Sequence, residues 1–240
     1  MSCLEKLSYS YLQKHFAGVH ELDKLGGLSS SQMETLRRET QILIIDDLDS
    51  ESLAAMQSHK HGFSKIRSEK KVPDDSIIQE YPIIVTDVEG VTADDSNGLK
   101  LAKHIKERYP LKQIIICSGQ LKVSKYRDDL RYASMFDGIF DKVKDSSEQL
   151  ARILDRSIVN LYDPSFVWRN VRKYLLQRDG DKSDTDIFSV MQMEGDFVAQ
   201  VLAKNPNGAI GDLHWLDAIV SIGSLAKNVI ELLAAIKTIV

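Results

Sequence analysis

Cysteine is scarce in this chain: two residues in 240, Cys3 and Cys117. Two thiols build no disulfide framework of the kind that holds small secreted domains together, and Cys117 lies in an apolar run, where a reduced core thiol is expected. Long hydrophobic runs are missing too. The longest candidate, 215–236, is broken by Asp217, Lys227, Asn228 and Glu231, short of the roughly 18–20 apolar residues that span a bilayer. The opening MSCLEKLSYSYLQKHF has neither a continuous apolar core nor a small-residue cleavage site, so no secretory signal is expected. Nor is there an excess of one charge. Lys and Arg number 31 against 35 Asp and Glu, a net charge of −4, which gives no bulk electrostatic reason to bind nucleic acid. The expectation is a cytoplasmic protein.

What the chain does have is a series of short β-branched runs, each ending in a polar residue. Residues 42–45 (ILII) lead into Asp46 and Asp47, 83–86 (IIVT) into Asp87, 114–117 (IIIC) into Ser118, and 138–141 (GIFD) into Lys142. Such runs, separated by helix-like segments, read as strands of a parallel sheet buried on both faces. A weaker strand is expected near Phe63–Ile66. Between them, a helix starts at Ser50-Glu51-Ser52-Leu53, an amphipathic helix opens at Asn97-Gly98 and stops at Tyr109-Pro110, another covers about Val123 to Met135, and a last one follows Ser146-Ser147. Five strands alternating with helices predict a doubly wound five-stranded parallel α/β domain over 41–158.

The flanks differ. Residues 1–40 read as a helical N-terminal extension, with Leu4, Leu7, Tyr11, Leu12 and Phe16 at helical spacing, and Ser31 with Glu34 as a capping box. Residues 159–240 lose all strand signals. Helices are expected over Phe166–Leu176, Ile187–Lys204 and 212–239, with a polar loop at Arg178–Asp186 and a turn at Asn205–Gly208, making an all-α module. That module carries eight Lys/Arg against ten Asp/Glu and no basic recognition helix, so DNA is not the expected partner.

In an open parallel sheet the carboxyl ends of the strands form the ligand crevice. Asp46, Asp47, Asp87, Ser118 and Lys142 are all expected at that edge. Three close carboxylates repel one another unless a cation neutralises them. Mg²⁺ takes oxygen ligands and usually keeps several waters beside one or two carboxylates. With Lys142 it would neutralise an incoming phosphoryl group, Ser118 would bond one of its oxygens, and Asp87, alone at the end of the central strand, is the candidate nucleophile.

Asp46 and Asp47, then Asp87, Ser118 and Lys142, at intervals of about 40, 31 and 24 residues, make segment 41–158 resemble the receiver domain of two-component response regulators. The resemblance implies a flavodoxin-like fold, Asp87 as phosphoacceptor, and Mg²⁺ held by Asp46, Asp47, Asp87 and the backbone carbonyl of Glu89. It also implies a phosphate-binding and switch set of Ser118, Gly119 and Lys142. A sensor histidine kinase or phosphotransfer protein would be the donor. A downstream protein partner, or a second copy of the chain, would meet the helical module. The chain departs from the family pattern at four places. Val91 stands where a Pro is usual, the loop to Gly98 is longer and carries Asp94 and Asp95, Val143 replaces the proline after the Lys, and Ile139 stands at the switch aromatic. Two other readings stay open. The receiver fold would serve as a non-phosphorylated adaptor; or Asp47-Leu48-Asp49-Ser50 would be the D-x-D motif of a haloacid-dehalogenase-like phosphatase, with Asp47 as nucleophile and Asp49 as acid/base. The second leaves Asp87 without a role.

Overall fold

The computed structural model of the chain describes residues 18–23, 25–91, 98–119, 136–177 and 184–204. The helices expected at 1–16, Val123–Met135 and 212–239, the turn at Asn205–Gly208 and the Asp94-Asp95 loop lie outside these residues. The described chain runs α1 (Val19–Leu22), α2 (Ser30–Glu39), β1 (Gln41–Ile45), α3 (Ser50–His61), β2 (Lys65–Glu69), α4 (Asp75–Glu80), β3 (Ile83–Asp87), α5 (Gly98–Arg108), β4 (Gln113–Ser118), β5 (Gly138–Asp141), α6 (Ser147–Tyr162), α7 (Pro164–Gln177) and α8 (Asp184–Lys204).

All five strands pair in parallel in the order β2-β1-β3-β4-β5. This is the doubly wound, flavodoxin-like sheet expected of the sequence. Every residue of β3 and β4 is buried, as continuous apolar strands covered on both faces must be. Leu43, Ile45, Ile84, Ile114 and Ile116 turn one way and pack with Ile78, Val88, Val91, Leu99, Ala102 and Ile105. The alternate residues Ile42, Ile44, Ile83, Val85 and Ile115, equally buried, face the other side.

Two local expectations shift. The second strand begins two residues later than expected and is only half-buried. As the edge strand it carries Lys65, Arg67 and Glu69, so its hydrophobic signal is weak; Phe63 is buried not in the strand but just after the left-handed Gly62 that ends α3. Helix α2 opens two residues earlier than expected. Its capping box is Ser29 with Gln32, not Ser31 with Glu34: Ser29 Oγ accepts from Gln32 N at 3.3 Å and Ser29 N donates to Gln32 Oε1 at 2.8 Å.

The described residues divide into two compact units, those of Ser29–Leu161 around the sheet, and those of Met1–Leu28 together with Tyr162–Ala234. These breaks differ from the 40/41 and 158/159 boundaries drawn from the sequence. Helix α2 belongs with the sheet: Arg37 ion-pairs Asp155 of α6 at 2.6 Å. The other unit centres on Trp168 of α7, stacked on Phe197 of α8 with ring centroids 4.9 Å apart. Its indole N–H donates to buried Glu194 at 2.7 Å.

Candidate functional site

The winding direction reverses between β1 and β3, and this is where ligands bind in sheets of this type. Register then positions the polar residues. Ile45 is level with Thr86, so Asp46 and Asp87 emerge side by side. Asp87 is level with Cys117, so Ser118 lies one residue beyond. Ser118 is level with Asp141, so Lys142 lies one residue beyond that.

The carboxylates converge. One oxygen from each of Asp46, Asp47 and Asp87 lies within 4.8 Å of the others. The Lys142 ammonium is 2.5 Å from Asp46 Oδ2, 2.6 Å from Asp87 Oδ2 and 3.7 Å from Asp49 Oδ2. Asp87 Oδ1 accepts from the N–H of Val88 at 2.6 Å and of Glu89 at 3.4 Å. Asp46 Oδ1 accepts from Leu48 N at 3.1 Å and Asp49 N at 2.9 Å, folding the loop after β1 over the site. Burial pushes the Asp87 carboxyl above its usual range, against the pull of Lys142. Burial works the other way on Lys142, but its ion pairs with Asp46 and Asp87 prevail and hold it charged, above an ordinary lysine. The buried thiol of Cys117, beneath the site, is pushed up by burial and stays protonated.

One oxygen stands out. Asp46 Oδ2 is buried and makes no hydrogen bond; the Lys142 ammonium lies close but outside hydrogen-bond geometry. A buried carboxylate oxygen with charge compensation and no directional partner has a lone pair to give. With Asp47 and Asp87 beside it, this oxygen belongs to a hard, all-oxygen donor set, which fits Mg²⁺ and not a soft metal.

The remaining expected residues fall at the same edge. Ser118 is buried and its carbonyl accepts from Lys142 N at 2.9 Å. Gly119 is exposed; a Cβ there would meet Lys142 Cδ at 3.9 Å, an ordinary contact, so space alone does not demand that glycine. Glu89 is exposed. Gly90 follows at φ +79°, a backbone shape that favours glycine, and a Cβ on it would push the Asp47 carboxylate aside. Gly98 is more constrained still: a Cβ would collide with the carbonyl oxygen of Asp87, while Gly98 N donates to Val88 O at 2.7 Å.

One of the departures is packed into the core, and another has a structural reason. Val91 is buried in the core cluster and accepts from Val72 N at 3.0 Å through its carbonyl. Val143 N donates to Asp141 Oδ1 at 3.0 Å, a bond that proline cannot make. At the edge, Phe140 is buried and Ile139 half-buried.

Two contributors were not foreseen. Lys71, just after β2, donates from Nζ to the carbonyl of Gly90 and so ties down the loop that follows Asp87. A basic residue at the carboxyl end of an edge strand was the available signal. Asp49, read only as half of a D-x-D motif, faces Lys142.

No family model matches the chain, and no curated protein matches it. Solved structures similar to it include a response regulator receiver domain protein from Clostridium thermocellum, 15% identical, covering 50% of this chain and 94% of that one, with a TM-score of 0.41. The response regulator DrrB, a Thermotoga maritima OmpR/PhoB homolog, is 14% identical over 63% of this chain and 86% of its own, with a TM-score of 0.37. RcsB from Salmonella enterica serovar Typhimurium, in a structure bound to the promoter rprA with the phosphomimetic BeF3−, is 16% identical over 77% and 99%, with a TM-score of 0.38.

Proposed function

We propose that the sheet unit is a receiver that accepts a phosphoryl group on Asp87, and that the chain is a response regulator. The observation that carries this reading is the gathering of Asp46, Asp47 and Asp87 within 4.8 Å around one lysine, at the switch point of the sheet. Asp46, Asp47, Asp87 and the backbone carbonyl of Glu89 would hold Mg²⁺, which supplies charge neutralisation for the transferred group. Asp87 attacks through Oδ2 after Lys142 yields that oxygen. The Lys142 ammonium then bonds the new phosphoryl oxygens, and the Ser118 hydroxyl and Gly119 N–H donate to them. A phosphoryl group brings a charge of about −1.5 to −2, enough to re-aim Lys142 from the carboxylate to the phosphoryl oxygens and to draw Ser118 toward them. The face around β4 and β5 repacks in response, and this is how contacts with a protein partner change. The donor class is a phosphohistidine protein, a sensor kinase or a phosphotransfer domain.

The test is incubation with Mg²⁺ and a small phosphodonor, followed by intact mass. One phosphoryl group should be added to wild type and none to Asp87→Asn. An unlabelled wild type, or undiminished labelling of the variant, sinks the reading.

A further inference from the structure

Among the three carboxylates that face Lys142, two are inside and one is outside. The side chains of Asp46 and Asp87 are 1% and 11% exposed, that of Asp49 54%. Asp49 is also out of character for its position. It is the N-cap of α3, where an aspartate ordinarily accepts a hydrogen bond from a backbone N–H two or three residues on. It makes no such bond. Its carboxylate turns instead toward Lys142, and its own N–H is pinned by Asp46 Oδ1 at 2.9 Å. The chain thus forgoes a helix cap to hold a negative charge on the solvent side of the pocket. Asp49 is outside the cluster formed by Asp46, Asp47 and Asp87. Its remaining effect is electrostatic, on Lys142 and on whatever approaches it.

We propose, resting on Asp87 as the phosphoacceptor, that Asp49 is a charge gate that discriminates among phosphoryl donors by their net charge. In the transfer, an Asp87 oxygen forms a bond to phosphorus while the donor's own bond to phosphorus breaks, its electron pair leaving with the donor. Acetyl phosphate, a dianion at neutral pH, releases acetate. Phosphoramidate, a monoanion because its nitrogen is already protonated, releases ammonia. Asp49 repels the first about twice as strongly as the second, since the Coulomb energy scales with donor charge.

The experiment compares initial labelling rates of wild type and Asp49→Asn with both donors at saturating Mg²⁺, read by intact mass. Asparagine keeps the side-chain shape and is an equally good N-cap residue, and an unchanged thermal midpoint checks the fold. The expected result is a gain of about three- to tenfold with acetyl phosphate, and about the square root of that gain with phosphoramidate, both shrinking at high ionic strength. Equal gains with the two donors, or no gain, overturn the gate and leave Asp87 as acceptor. A wild type labelled by neither donor overturns the acceptor reading, and the gate with it.

Discussion

Lys142 is the residue on which the site's electrostatics turn. It faces two buried carboxylates at 2.5 and 2.6 Å, and removing one member of a buried ion pair leaves the other uncompensated, at a cost of about 3–5 kcal/mol. Lys142→Met should therefore lose stability on that order in denaturant titration. Mg²⁺ should restore more stability to the variant than it adds to wild type, because it supplies the missing positive charge; equal Mg²⁺ effects on the two would count against a shared pocket. Gly98 is the steric counterpart. Gly98→Ala drives a methyl group into the Asp87 carbonyl, and a loss of at least about 3 kcal/mol is expected, readable as a lowered denaturation midpoint. Gly119→Ala, which meets only Lys142 Cδ at 3.9 Å, is the neutral comparison.

At the level of elements, α4 and β4 are joined by a buried lysine. Lys112 Nζ donates to Gln79 O at 2.9 Å and Tyr81 O at 2.8 Å, closing the end of α4. Burial pulls its pKa from 10.5 down to about 7. The unfolded chain therefore binds a proton between about pH 7 and 10.5 that the folded chain does not. The stability of the sheet unit should rise with pH across that window through this one group, and the penalty is fully present below it. The neutral amine still has two hydrogens for the two carbonyls. Lys112→Met should abolish this rise, and at high pH it should cost about 0.5–1.5 kcal/mol for each of the two hydrogen bonds lost. Chemical denaturation at several pH values checks both.

The same scale shows what can be read in advance and what cannot. Strands β1, β3, β4 and β5 were legible because each is an apolar run closed by a polar residue, and those polar endings located the site. Edge strand β2 was legible only as a weak strand set two residues too early, since Lys65, Arg67 and Glu69 serve solvent and leave little hydrophobic pattern. Helix α4, at six residues, is too short for periodicity to register. Within the site, Asp46, Asp47, Asp87, Ser118 and Lys142 could be placed at one edge from strand ends alone. The contribution of Asp49 could not, because whether an N-cap aspartate caps its helix or turns aside is decided by a partner 93 positions away in the chain.

For the whole molecule, the division into a sheet unit and a helical unit makes separable predictions. Ligand binding to the folded state stabilises by mass action. Mg²⁺ at ten times its dissociation constant should therefore stabilise the sheet unit by about 1.4 kcal/mol, an increment that Asp46→Asn should reduce. The helical unit carries its own internal probe in Trp168, whose indole donates to Glu194. Burial raises the Glu194 carboxyl against its bonds to Trp168 and Arg172. A buried acid shifted this way gives up stability as pH rises past the ordinary glutamate range, so mild acidification should strengthen the packing around Trp168. Tryptophan emission during denaturation at pH 5 and pH 8 is the readout, with Glu194→Gln removing the difference.

The stepwise level of the strand ends, from Asp46 and Asp87 to Ser118 to Lys142, has an evolutionary consequence. Insertions between strands leave that alignment untouched, whereas gaining or losing one residue inside a strand shifts its ending by about 3.3 Å and turns it to the opposite face. Descendants of this chain are thus free to lengthen and rewrite their connecting segments while their strands resist every indel.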